Sequence, residues 1–214
     1  MKTTKKALLL TVCALVLVVA TVMGTMAYLT DKDDVKNTFA AAKLLDGDFV
    51  LTEHKLERDD LTGKQTLSDT ETTDANAYKI VPGAVLPKDP WVEFNLAESA
   101  YLFLVVEDKL PEGMHWNPTD NWMPLMNGKV PNEQVKLGEN PVYVYGTSAL
   151  NIGKHNYKII EGDKITVDGT INLEPVEGQD AVTGNLNFYG YLVQAESFDN
   201  PLAAWNAYQA SLKP

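Results

Sequence analysis

The sequence predicts an all-β chain: a jelly-roll-like β-sandwich with a short C-terminal helix, preceded by a cleavable N-terminal signal helix. Three observations carry this reading. Apolar and polar residues alternate with a period of two in several separate runs. Turn signals such as Pro82-Gly83, Asn127-Gly128 and Glu177-Gly178 punctuate those runs at short intervals. The strongly apolar stretch of the chain stands at its start, behind Lys2, Lys5 and Lys6.

That first stretch, Ala7 to Met23, is apolar apart from Thr11, Cys13 and Thr21. Its 17 residues exceed the roughly 7–15 of a usual signal core and approach the roughly 17–25 of a membrane span. A retained anchor is therefore the competing reading. Thr25-Met26-Ala27 supplies the small residues that a signal peptidase reads, which favours cleavage between Ala27 and Tyr28. A lipoprotein reading of Cys13 fails because Val12 precedes it and the apolar run continues beyond. Division of the chain follows: 1–27 as signal peptide, 28–40 as a mature N-terminal segment, and 41–214 as one β-sandwich domain.

Removal of 1–27 takes away Cys13, the single cysteine of the sequence, so the mature chain is held by its core and not by disulfides. It also removes three of 18 basic residues and none of the 29 acidic ones, taking the net charge from −11 to −14. Such a charge disfavours nucleic acid and anionic membrane surfaces as partners. Membrane contact is expected only through the uncleaved signal.

Within the domain, "TFAAAKL" and "DFVLTEHKL" read as two early strands divided by a turn at Asp46 to Asp48. Arg58 to Asn76, polar and rich in Asp and Thr, reads as a long loop. "WVEFNL" places Val92, Phe94 and Leu96 inward and Trp91 on the outward face. "YLFLVV", Tyr101 to Val106, is apolar on both faces, as a central covered strand should be. "PVYVYG" and "NFYGYLVQA" have the aromatic and β-branched composition of strands. "KITVDGTINL" reads as a strand, or as a hairpin about Asp168-Gly169, with Ile165, Val167, Ile171 and Leu173 on one face. At the C-terminal end, Asn200 caps and Pro201 opens a helix whose apolar face carries Leu202, Trp205, Tyr208 and Leu212.

Signals for catalysis are weak. His54, His115 and His155 stand in no metal-ligand spacing, so no metal and no cofactor is expected. His54 reads as a solvated strand end. No Gly-x-Ser-x-Gly elbow and no phosphate-cradling glycine loop occurs. Asp31-Lys32-Asp33-Asp34 lacks the alternating oxygens and glycine of a calcium loop and reads as a solubilising patch. The expectation is a protein with no catalytic residues. Trp91, Trp116 and Trp122 stack on sugars if exposed, or anchor core and loops if not.

The junction itself is the most specific stretch. Gly24-Thr25, Ala27-Tyr28, Thr30-Asp31 and Asn37-Thr38-Phe39 together resemble the N-terminus of the TasA/camelysin family of exported Gram-positive matrix-fibre proteins. "VPGAVLPKDPWVEFNLAESAYLFLVVED" and "YLVQAESFDNPLAAWNA" are similar to later parts of the same family, more loosely. The resemblance implies maturation by a SipW-type signal peptidase, secretion to the matrix or cell surface, and a jelly-roll domain that polymerises with itself. It also implies a donor strand freed by cleavage, whose apolar residues here are Tyr28, Leu29, Val35 and Phe39, and an accessory matrix protein as a further partner. Burying those four side chains does not offset the entropy of ordering a dozen residues, so the segment needs a hydrogen-bond ladder on a sheet edge. A metalloprotease activity described for the camelysin branch is not carried over, because the ligand motif is missing. A surface glycan-binding module and, further off, a secreted metalloprotease using His54, His115 or His155 are the alternatives.

Overall fold

The computed structural model describes residues 49–173 and 184–212. The signal peptide, the cleavage site Ala27/Tyr28, the donor-strand residues Tyr28, Leu29, Val35 and Phe39, and the expected "TFAAAKL" strand all lie outside these residues. Among the described residues twelve strands and one α-helix follow in chain order, with one 3-10 turn (Glu161–Asp163) ahead of β11: β1 (Val50–Arg58), β2 (Gln65–Thr72), β3 (Val85–Pro87), β4 (Trp91–Leu96), β5 (Ala100–Lys109), β6 (Met114–His115), β7 (Trp122–Pro124), β8 (Lys136–Leu137), β9 (Asn140–Tyr145), β10 (Gly153–Lys158), β11 (Lys164–Val167), β12 (Asn185–Gln194) and α1 (Pro201–Ser211).

All register pairs are antiparallel. One sheet has the order β10-β4-β1-β2, a second β12-β5-β9-β7 with β8 also on β9, and a small third β3-β11-β6. The result is an all-β sandwich with one short helix. Passage from β4 to β5, and again from β9 to β10, crosses between the two large sheets.

Strand β5 organises the core because its sequence is apolar on both faces. Leu102, Leu104 and Val106 join Val92, Phe94, Leu96 and Leu192 in the space between the sheets. Phe103 and Val105, pointing the other way, join Trp205 and Tyr208 beneath α1. Both faces of β5 are therefore dry, as the continuous apolar run requires. Asn200 caps α1 by accepting from Ala203 N at 2.9 Å, and Pro201 fills the first position, where a missing N–H costs nothing. Leu212 departs from the expected apolar face: it sits at the C-cap and is exposed.

Four other expectations are corrected. The stretch from Arg58 to Asn76 is not a long loop; Gln65–Thr72 forms β2 and pairs with β1 across a bulge between His54 and Leu56. Its alternating Thr66, Ser68, Thr70 and Thr72 suit a polar edge strand, where β-branching counts and burial does not. The tight turn before it is built by Asp59, whose Oδ1 accepts from Leu61 N and from the amide and hydroxyl of Thr62. "KITVDGTINL" gives a strand only as far as Val167; after the Asp168-Gly169 turn the chain packs Ile171 against the third sheet without pairing. Trp91 does share a face with Glu93, yet the ring is buried, partly beneath the His54 imidazole at 4.9 Å. His54 itself lies within β1 and not at a solvated strand end.

Candidate functional site

The open flank of the sandwich carries a groove of about 740 Å³. Its floor is Leu86 and Ile165 of the third sheet, and its walls are Leu110 and Leu186 on one side and Tyr78 and Ile80 on the other. The first wall belongs to β12 and the chain after β5. The second, residues 75–80, has no regular structure and follows β2. Beside the groove runs β12, paired through ten residues to β5 and bordered on its outer edge by no strand among the described residues. A long unpaired edge beside an apolar trough is the geometry that accepts an added strand.

The irregular wall is held by polar contacts in place of a ladder. Asn76 accepts from Leu56 N at 2.8 Å and donates to His54 O at 2.8 Å, so one side chain mimics a strand partner for β1. Lys79 N donates to Gln65 Oε1, and Gln65 Nε2 returns a bond to Lys79 O. Beneath the wall, Lys88 Nζ lies 2.7 Å from Glu53 Oε2 with both residues buried, and 5.4 Å from the centre of the Tyr78 ring. Burial, and then the Glu53 carboxylate, hold the Tyr78 hydroxyl well above the ordinary phenol range. No hydrogen bond to that hydroxyl meets ordinary geometry among the described residues, although the Asn76 side chain lies close enough to oppose part of the shift.

On the opposite face of β1, His54 Nδ1 meets Asp89 Oδ2 at 2.6 Å, and His54 N donates to Asp89 Oδ1 at 3.1 Å. The hydrogen bond that Asp89 accepts raises the imidazole above 6.5 against the opposing effect of burial, with the charges of Asp89, Glu71 and Asp69 adding smaller increments. Glu53 and His54, adjacent in sequence, thus tie Lys88 and Asp89, also adjacent, from the two faces of one strand. The residues Lys88-Asp89-Pro90 carry a turn signal in the sequence; the structure buries both charged side chains. A period-two count that places Glu53 on the same face as Leu51 is the one sequence signal for this pair, since a strand does not bury a glutamate without a partner.

The three histidines are far apart in their partners: His54 on Asp89, His115 on Asp168, and His155 on Tyr157 and the Asn151 carbonyl. No group of three metal-binding side chains forms among the described residues. Trp91 and Trp122 are buried, Trp122 donating to Lys158 O at 2.9 Å. Trp116 is half-buried, edge-on to Phe188, with its N–H on Asp108. Trp91 and Trp122 therefore offer no free ring face of the kind that stacks on sugars, whereas Trp116 stays partly exposed. No helix among the described residues is long and apolar enough to cross a membrane.

The fold and flank together define a β-sandwich in which, among the described residues, the outer edge of β12 is unpaired beside an apolar groove. Comparisons with models of protein families, with curated proteins and with solved structures give no match to this chain.

Proposed function

We infer that the mature chain is an exported structural protein, without enzymatic activity, that assembles into extracellular or biofilm-matrix fibres. Residues 28–40, freed by a SipW-type signal peptidase, add as a strand to a second copy. The TasA/camelysin resemblance of the junction motivates this reading, and the observation that carries it is the ten-residue edge of β12 beside the groove, unpaired among the described residues. Head-to-tail donation of this kind yields an open filament when the rotation between copies does not close. An accessory matrix protein would start or anchor such a filament by the same edge.

The test is Phe39→Asp in the mature chain beginning at Tyr28, followed by light scattering and negative-stain microscopy. A charge in place of the aromatic side chain at the end of the donor segment should abolish filaments while the circular dichroism and tryptophan fluorescence of the domain stay native. Filaments of wild-type yield from this variant would refute strand donation.

A further inference from the structure

The groove is electrically unlike the rest of the chain. The sequence holds 29 acidic against 18 basic residues, yet among the described residues the lining contains two lysines, Lys79 and Lys88, and no carboxylate of its own, the nearby Glu107 accepting from the lining Asn187. Lys88 is spent on Glu53. Lys79 is exposed on the irregular wall; its backbone is fixed by Gln65 and its ammonium makes no ion pair among the described residues.

An occupant that matches this lining has apolar side chains and a carboxylate between them. Residues 28–40 have that composition: Tyr28 and Leu29 at one end, Val35 and Phe39 at the other, and Asp31, Asp33 and Asp34 in the middle. Where the chain leaves the domain also fits. Phe49, the first described residue, stacks on Phe94 at 5.3 Å and fills the space that a side chain at Gly190 would need. Phe49 thus sets the start of the described domain beside β12, the strand that bounds the groove. From Phe49 back to Ala40 the chain spans about 30 Å when extended, enough to carry 28–40 clear of its own domain.

We propose that Lys79 selects the incoming segment, pairing with the aspartates of residues 31–34 of a second copy as that segment enters the groove. This rests on the strand-donation reading above and adds its electrostatic component. An exposed pair contributes little to final affinity, but a charge placed at the entrance steers encounter, so its signature is kinetic and salt-dependent.

Lys79→Glu tests it, because the exposed side chain has no folding role. At low salt the half-time of filament growth should lengthen about tenfold, and the difference should shrink at high salt. A chain with Asp31, Asp33 and Asp34 all changed to Lys should be slowed alike, and combining it with Lys79→Glu should restore growth. Wild-type kinetics from Lys79→Glu, or no restoration in the combined chain, would overturn the electrostatic role. Phe39→Asp separates the two claims: if it blocks assembly while Lys79→Glu does not, strand donation stands and selection falls. If Phe39→Asp assembles normally, the parent reading falls. Mixing Phe39→Asp with Lys79→Glu at low salt should give dimers before the Lys79→Glu chains elongate on one another, the intact segment of one chain on the intact groove of the other. Monomers alone would mean that each groove is occupied by its own chain, and would overturn selection between copies.

Discussion

Replacing Lys88 by Met leaves the Glu53 carboxylate inside the sandwich without its counter-charge. Glu53 is 6% exposed and its remaining contact is a long one, Asn76 N at 3.4 Å. Breaking a buried pair by removing one partner costs roughly 3–5 kcal/mol, whereas exchanging both partners for apolar side chains of similar volume is often neutral or stabilising. The expected order of stability is therefore wild type close to Glu53→Leu/Lys88→Met, with Lys88→Met lower by about 3–5 kcal/mol. Urea unfolding of the mature chain at neutral pH measures this directly, since buried Trp91, Trp122 and Trp205 report the transition by fluorescence. A Lys88→Met variant within about 1 kcal/mol of wild type would mean that water reaches Glu53, as at surface pairs. A double variant no better than the single would show that the pair fixes the wall by more than charge.

Two further expectations follow from the same flank. Gly190→Ala places a methyl group in the Phe49 ring and should destabilise by about 1–3 kcal/mol, with loss of the Phe49–Phe94 stack visible by NMR; an unchanged unfolding midpoint would contradict the packing. The raised imidazole of His54 means that its bond to Asp89 stabilises fully below pH 6.5 and fades as pH rises through the folded-state value. Stability of wild type minus that of His54→Asn should therefore fall on going from mildly acidic to alkaline buffer, and a flat difference would show that the contact carries no charge dependence.

Much of the sandwich was legible because burial writes a period into sequence. Val92, Phe94 and Leu96 alternate, Tyr101 to Val106 does not, and these two patterns correctly separate a half-covered strand from a fully covered one. Asn200-Pro201 gave the helix start by local chemistry alone. Strand β2 was hidden for the converse reason: an edge strand with Thr, Ser, Asp and Glu on its faces has no apolar stripe, and its partner β1 is what identifies it. Asn76 was hidden too, because its two bonds to the β1 backbone are made 20 and 22 residues away and leave no spacing rule behind. The groove is a product of at least five separate chain segments, so no single window of sequence contains it.

Phe49 and β12 also differ in how firmly each is fixed. Strand β12 is joined to β5 by ten register pairs, and β5 is packed on both sides, so a pull along the outer edge of β12 meets a long ladder loaded in shear. A pull on the chain ahead of Phe49 enters through β1, which is joined to β4 by only three pairs, Val50 to Thr52. Tension passing between these two points would first test the aromatic wedge over Gly190 and that short ladder. The first strand is thus the more lightly laddered of the two points, and beyond its three pairs to β4 it is held to the rest of the domain by the Phe49–Phe94 stack and by the Glu53–Lys88 and His54–Asp89 contacts.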